Sequence, residues 1–118
     1  MNEINLDIYV NGVLVEFGYG NLVEVSGNVN APVNIIAGAL NIKKRDVVFN
    51  IDTQTFKIKK NEKTLRISEE SAYLNDTMVD SLVCNKINFS LYIPLKKTIN
   101  LFGGSYTQNE NEIDIVIN

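Results

Sequence analysis

The sequence predicts an α+β fold dominated by antiparallel strands: a single domain over residues 1–118 with two short amphipathic helices that come from an internal duplication. Three observations lead there. Apolar and polar residues alternate with period two along most of the chain, which is the pattern of strands with one buried face. Two segments switch to a helical period, each behind a proline. Turn, helix and strand then recur in the same order in two halves, about 8–60 and 71–117.

Taken in order, Leu6, Ile8 and Val10 point one way, Val13, Val15 and Phe17 repeat the pattern, and Asn11-Gly12 lies between them. Asn-Gly suits a type I′ hairpin turn, whose two central residues need positive φ. Further strands are predicted at 22–25, 47–51, 55–58, 65–67, 78–83, 87–91 and 113–117, most of them short and separated by polar turn residues.

The first helix places Val33, Ile36, Ala37 and Leu40 at i, i+3, i+4 and i+7, with Asn30 as its cap, Pro32 in its first turn and Asn41 as a left-handed terminator. The second follows Pro94, with Leu95, Thr98, Ile99 and Phe102 in the corresponding positions and Gly103 where Asn41 stood. Val33, Ile36, Leu40, Leu95, Ile99 and Phe102 are the core residues these helices should supply. The repeat extends beyond the helices: Asn11-Gly12 precedes Pro32 by 21 residues and Asn75-Asp76 precedes Pro94 by 19.

This ordered set resembles the copper amine oxidase N-terminal-like domain, the stalk domain of bacterial surface proteins. The matching segments are 32–41, 52–58, 71–76 and 94–103, and the resemblance covers roughly residues 8–117. The chain departs from that pattern in having Asn41 for the usual glycine, Phe49 at best for the usual tryptophan, and a shortened second post-helix turn. What the resemblance implies is an antiparallel sheet curling around short helices that serves as stalk, spacer or interaction surface. The copper and the oxidase activity of the family's name belong to a separate domain, so no functional residue carries over.

Composition narrows the function independently. With 14 acidic and 11 basic residues, a net charge of −3 has the wrong sign for phosphate-backbone attraction, so nucleic acid is not an expected partner. The basic runs Lys43, Lys44, Arg45 and Lys57, Lys59, Lys60, Lys63 read as solvated turns and strand faces. No run approaches the ~20 apolar residues of a membrane span. One cysteine, Cys84, forms no internal pair and reads as a small buried hydrophobe.

With no histidine, the usual copper and zinc ligands and the commonest catalytic base are missing, so neither cofactor nor catalytic residue is expected. Oxygen ligands cluster at Asn109, Glu110, Asn111, Glu112 and Asp114, but their spacing is that of a solvated turn rather than a calcium loop. Glu69-Glu70 likewise reads as a charged turn. Gly18, Gly20 and Gly27 lack the following Lys-Ser or Lys-Thr of a phosphate loop, and Gly103-Gly104 reads as a helix stop. Among the aromatic residues, Tyr19 and Tyr106 sit in Gly-flanked or polar stretches and are the two candidates for touching a partner; carbohydrate is left open as a ligand without direct support.

The function expected is therefore a non-catalytic interaction or spacer module of a bacterial or phage-related surface assembly, in contact with a protein partner or with itself. The alternative is a free-standing, mobile-element-encoded intracellular protein that binds and inhibits a host protein, motivated by the acidic balance and by a Met1–Asp7 stretch without the pattern of an export leader. Location stays open between the cell surface, with a leader removed, and the cytoplasm.

Overall fold

The computed structural model describes residues 2–15, 22–87 and 90–118. Among the described residues, three sheets and two α-helices form around one continuous apolar cluster. The strands are β1 (Asn2–Ile4), β2 (Asp7–Val10), β3 (Val13–Val15), β4 (Leu22–Val25), β5 (Asn28–Pro32), β6 (Val47–Asn50) and β7 (Thr55–Lys60). They continue as β8 (Lys63–Ile67), β9 (Ala72–Leu74), β10 (Thr77–Met78), β11 (Asn85–Ile87), β12 (Ser90–Pro94), β13 (Ser105–Gln108) and β14 (Glu112–Val116). Helices α1 (Val33–Ala39) and α2 (Leu95–Leu101) each follow directly on a strand. The β-dominated α+β class is thus as the alternation predicted.

The first sheet runs β1-β4-β5-β12-β11, the second β10-β9-β8-β7-β6 and the third β13-β14-β2-β3. All pairings are antiparallel except that of β14 with β2. At the centre of the first sheet β5 meets β12 with Ala31 opposite Ile93, Asn30 opposite Pro94 and Pro32 opposite Tyr92. Each of these strands ends in a proline that opens a seven-residue helix. A proline is tolerated there because the first N–H groups of a helix have no partner within it.

The helices close alike. Asn41, at φ 58°, donates to Gly38 O and Ile42 donates to Ala37 O, while Gly103, at φ 81°, donates to Asn100 O and Gly104 to Ile99 O. This is the left-handed stop expected at both positions. Gly104 has a packing reason as well, since a Cβ there would lie 2.8 Å from Ile99 Cγ2 and 3.1 Å from Val116 O.

Five of the six core residues expected from the helices are buried, and Phe102 packs half-buried against them. Ile35 is buried too, because α1 is enclosed on nearly every side and leaves only Asn34 and Gly38 exposed. Ile8, Ile58, Leu65, Ile67, Ile93, Ile113 and Ile115 bring all three sheets into the same cluster. Each such side chain withdrawn from water contributes about 1.5–3 kcal/mol before entropy is counted.

Several local expectations are corrected. Asn30 does not cap α1: it lies buried within β5, its amide donates to Asn28 O at 3.0 Å, and the cap position belongs to Pro32 with no side-chain bond. The strand expected at 78–83 stops at Met78, because Val79 bonds back to Ala72 O and Leu82 to Val79 O, which turns the chain. The strand expected at 87–91 is two strands, with Ile87 opposite Ser90. β6 ends one residue early, since the Asn50 side-chain oxygen accepts the N–H groups of Asp52 (3.0 Å) and Thr53 (3.2 Å) in a tight turn. β1, β5, β9 and β13 are strands that the period-two alternation does not mark. Phe17 lies outside the described residues.

Candidate functional site

The solvated basic run proves to be partly structural. Lys60 and Lys63 face each other across the β7–β8 hairpin, yet their ammonium groups diverge to the ends of the two helices. Lys60 Nζ donates to Leu40 O at 2.6 Å and Lys63 Nζ to Leu101 O at 2.9 Å. A cation at a helix C-terminus meets unpaired carbonyls and the negative end of the helix dipole, so one hairpin clamps both helices. The signal was present in sequence only as lysines close to a turn.

The turn asparagines also do more than turn. Asn11, at φ 50°, accepts from Ile117 N (2.9 Å) and donates to Ile117 O (3.1 Å) through its side chain, tying the first hairpin to the last strand. Asn75, at φ 47°, accepts from Thr64 N (2.9 Å) and donates to Glu62 O (3.3 Å) in the same manner.

Of the two aromatic candidates, Tyr19 lies outside the described residues, as do Gly18, Gly20 and Phe89. Tyr106 stands on β13 opposite Ile115, half-buried against the core, with its hydroxyl donating to Gln108 Oε1 at 2.7 Å. Burial pushes its phenol up to about 12. It packs rather than projects, and it does not line the cleft described below.

In the turn that leads into β14, the Asn109 side-chain oxygen accepts the N–H groups of Asn111 (2.8 Å) and Glu112 (2.9 Å), so it closes the turn. Asp7 stands opposite Glu112. A hydrogen bond shared with Asp114 raises the Glu112 carboxyl above its usual value. Cys84 is buried, and desolvation pushes its thiol up to about 11. Arg66 lies with its guanidinium carbon 5.2 Å from the centroid of the Tyr73 ring, and its Nη2 donates to Asp76 Oδ1 at 3.3 Å at the surface, a contact of little energetic weight.

A cleft of about 680 Å³ opens between the first and second sheets, at the start of α1. Its apolar wall is Val33, Phe49, Ile51, Phe56 and Leu91, and its rim carries Glu69, Glu70 and Lys86. Phe49 and Phe56 face each other across β6 and β7 with centroids 4.7 Å apart. Phe49 is nevertheless 49% exposed, Val48 52% and Ile51 76%.

Val48 and Phe49 belong to β6, which among the described residues is a sheet edge with one free side, and Ile51 follows in the turn beyond it. Other edges are shielded in recognisable ways: β1 carries Glu3, β11 carries Lys86, β10 is two residues long and β13 exposes the polar Ser105, Thr107 and Gln108. Charge, brevity and polarity at an edge all discourage pairing with another chain. β6 has none of these protections, and β3, which reads Val13-Leu14-Val15, shares that lack.

No family model, curated protein or solved structure matches the chain.

Proposed function

We propose that the chain is a non-catalytic interaction or spacer module that joins protein chains through its unprotected strand edges, as part of a bacterial or phage-related surface assembly of the stalk type. The observation that carries this reading is β6. Among the described residues no strand neighbours it on one side, and its side chains, uncharged from Val47 to Asn50, are largely exposed beside an apolar cleft. Such an edge is a template for an added strand, whose main chain supplies affinity and whose alternate side chains fill adjoining pockets.

The same proposal includes an origin by duplication of hairpin, helix and strands. Its support is the constant spacing of 62 residues between β5 and β12, between Pro32 and Pro94, and between α1 and α2. The symmetric pairing about Ala31 and Ile93 supports it too. Such an arrangement suits a spacer, because β5 and β12 hold the two halves together at the centre of the first sheet.

The test is light scattering over a wide concentration range, together with selection of extended peptides from a displayed library. Assembly, or peptide binding, that disappears when Val13→Lys and Val48→Lys are combined supports the module reading. A strict monomer that also selects no edge-dependent peptide overturns it.

A further inference from the structure

Resting on that reading, we propose that the partner of β6 is β6 of a second copy of this chain, paired antiparallel with Val48 opposite Val48. The two second sheets would then join into one sheet of ten strands.

The direction follows from charge. Lys43, Lys44 and Arg45, all exposed, precede β6, and the exposed Asp52 follows it. Antiparallel pairing brings the basic turn of one copy beside Asp52 of the other, twice over; parallel pairing would stack basic turn on basic turn. The strand is thus self-complementary at its ends as well as apolar between them.

The register follows from geometry and then from charge. A two-fold axis that extends a sheet antiparallel stands normal to it, so facing residues share one face, and with a side-chain period of two the axis must pass through a residue rather than between residues. At the strand ends, beyond the ladder itself, a pairing centred on Phe49 brings Asp46, in the short 3-10 turn before β6, nearest Asp52 of the other copy, in the turn after it. Centred on Val48, it sets Lys44 toward Asp52 instead. Val47 then lies opposite the second copy's Phe49 on the face that holds Phe56, and the two Val48 side chains meet on the other face. The half-exposed surface of Phe49 and Val48 is what this contact covers.

Two measurements test it on the full chain. Light scattering should give a concentration-dependent dimer, and Val48→Lys, with an unchanged far-UV spectrum, should weaken it at least tenfold. Mild oxidation of Val48→Cys should give a disulfide-linked dimer, because directly opposed Cα atoms in an antiparallel pair lie about 4.5–5.5 Å apart, within disulfide reach. Asn50→Cys, and the wild type with only buried Cys84, should give none. A chain that is monomeric at every concentration overturns self-pairing, and if it still captures edge-dependent peptides the module reading survives. A dimer that persists in Val48→Lys, is lost in Val13→Lys instead, or cross-links through Asn50→Cys overturns the β6 assignment.

Discussion

At the scale of single residues, a few polar side chains hold together parts distant in sequence. Lys60 and Lys63 each satisfy a carbonyl at a helix end from 20 and 38 residues away. A charged donor to a part-buried acceptor contributes more than a neutral one, so Lys60→Met and Lys63→Met should each cost about 1–2 kcal/mol in urea-unfolding experiments. Arginine at position 60 should recover less than full stability, because a planar fork does not reproduce a point donor. Cys84 gives a pH signature. Its folded value of about 11 lies above the thiol's ordinary 9.0, so the neutral form favours the fold. The contribution is complete below pH 9 and is lost as pH rises from 9 toward 11. Cys84→Ala should flatten that alkaline limb of a stability profile, and alkylation of the wild-type thiol at pH 8 should be slow until denaturant is added.

At the scale of elements, the hairpin turns combine a backbone requirement with a long-range contact. Asn11 needs positive φ and also bonds both backbone groups of Ile117. Replacing it by glycine keeps the conformation and loses the contacts; replacing it by alanine loses both. Asn11→Gly should therefore cost about 1 kcal/mol and Asn11→Ala about 2, read from thermal or urea melts. Hydrogen exchange of the Ile117 amide should speed up in both variants. The helices illustrate a different balance: α1 and α2 are too short to be stable alone and hold their shape through burial, proline starts and left-handed stops.

At the scale of the whole molecule, pairing between strands far apart in sequence makes the two ends of the chain interdependent. The third sheet joins β2 and β3, near the start of the chain, to β13 and β14, near its end, and in the second sheet β9 completes β8. Fragments 1–70 and 71–118 should each lack cooperative unfolding alone and regain it when mixed. Independent folding of either fragment would show that this long-range pairing carries little of the stability.

Much of the architecture was legible in the sequence because it is written in local chemistry. Period-two alternation marked most strands, the four-position apolar stripes marked both helices and five of six core residues, and Asn11-Gly12, Asn75-Asp76, Asn41 and Gly103 marked positive-φ positions. Asn30 misled because an asparagine before a proline-led helix has the form of a cap, whereas tertiary pairing draws it into a central strand. β13 escaped notice because its exposed residues are polar and its partner is supplied by β14. The candidate site was the least legible part. The run Val47-Val48-Phe49-Asn50-Ile51 reads equally well as a central or an edge strand, since side-chain alternation reports which faces are buried and says nothing about neighbours in the plane of the sheet. The sequence by itself determined the strand and helix content, the turns and most of the core, because those depend on periodicity and backbone preference over a few residues. Which strands lie side by side, which edge stays open beside the cleft, and which lysines reach the helix ends were decided only by the tertiary structure, because each depends on residues tens of positions apart meeting in space.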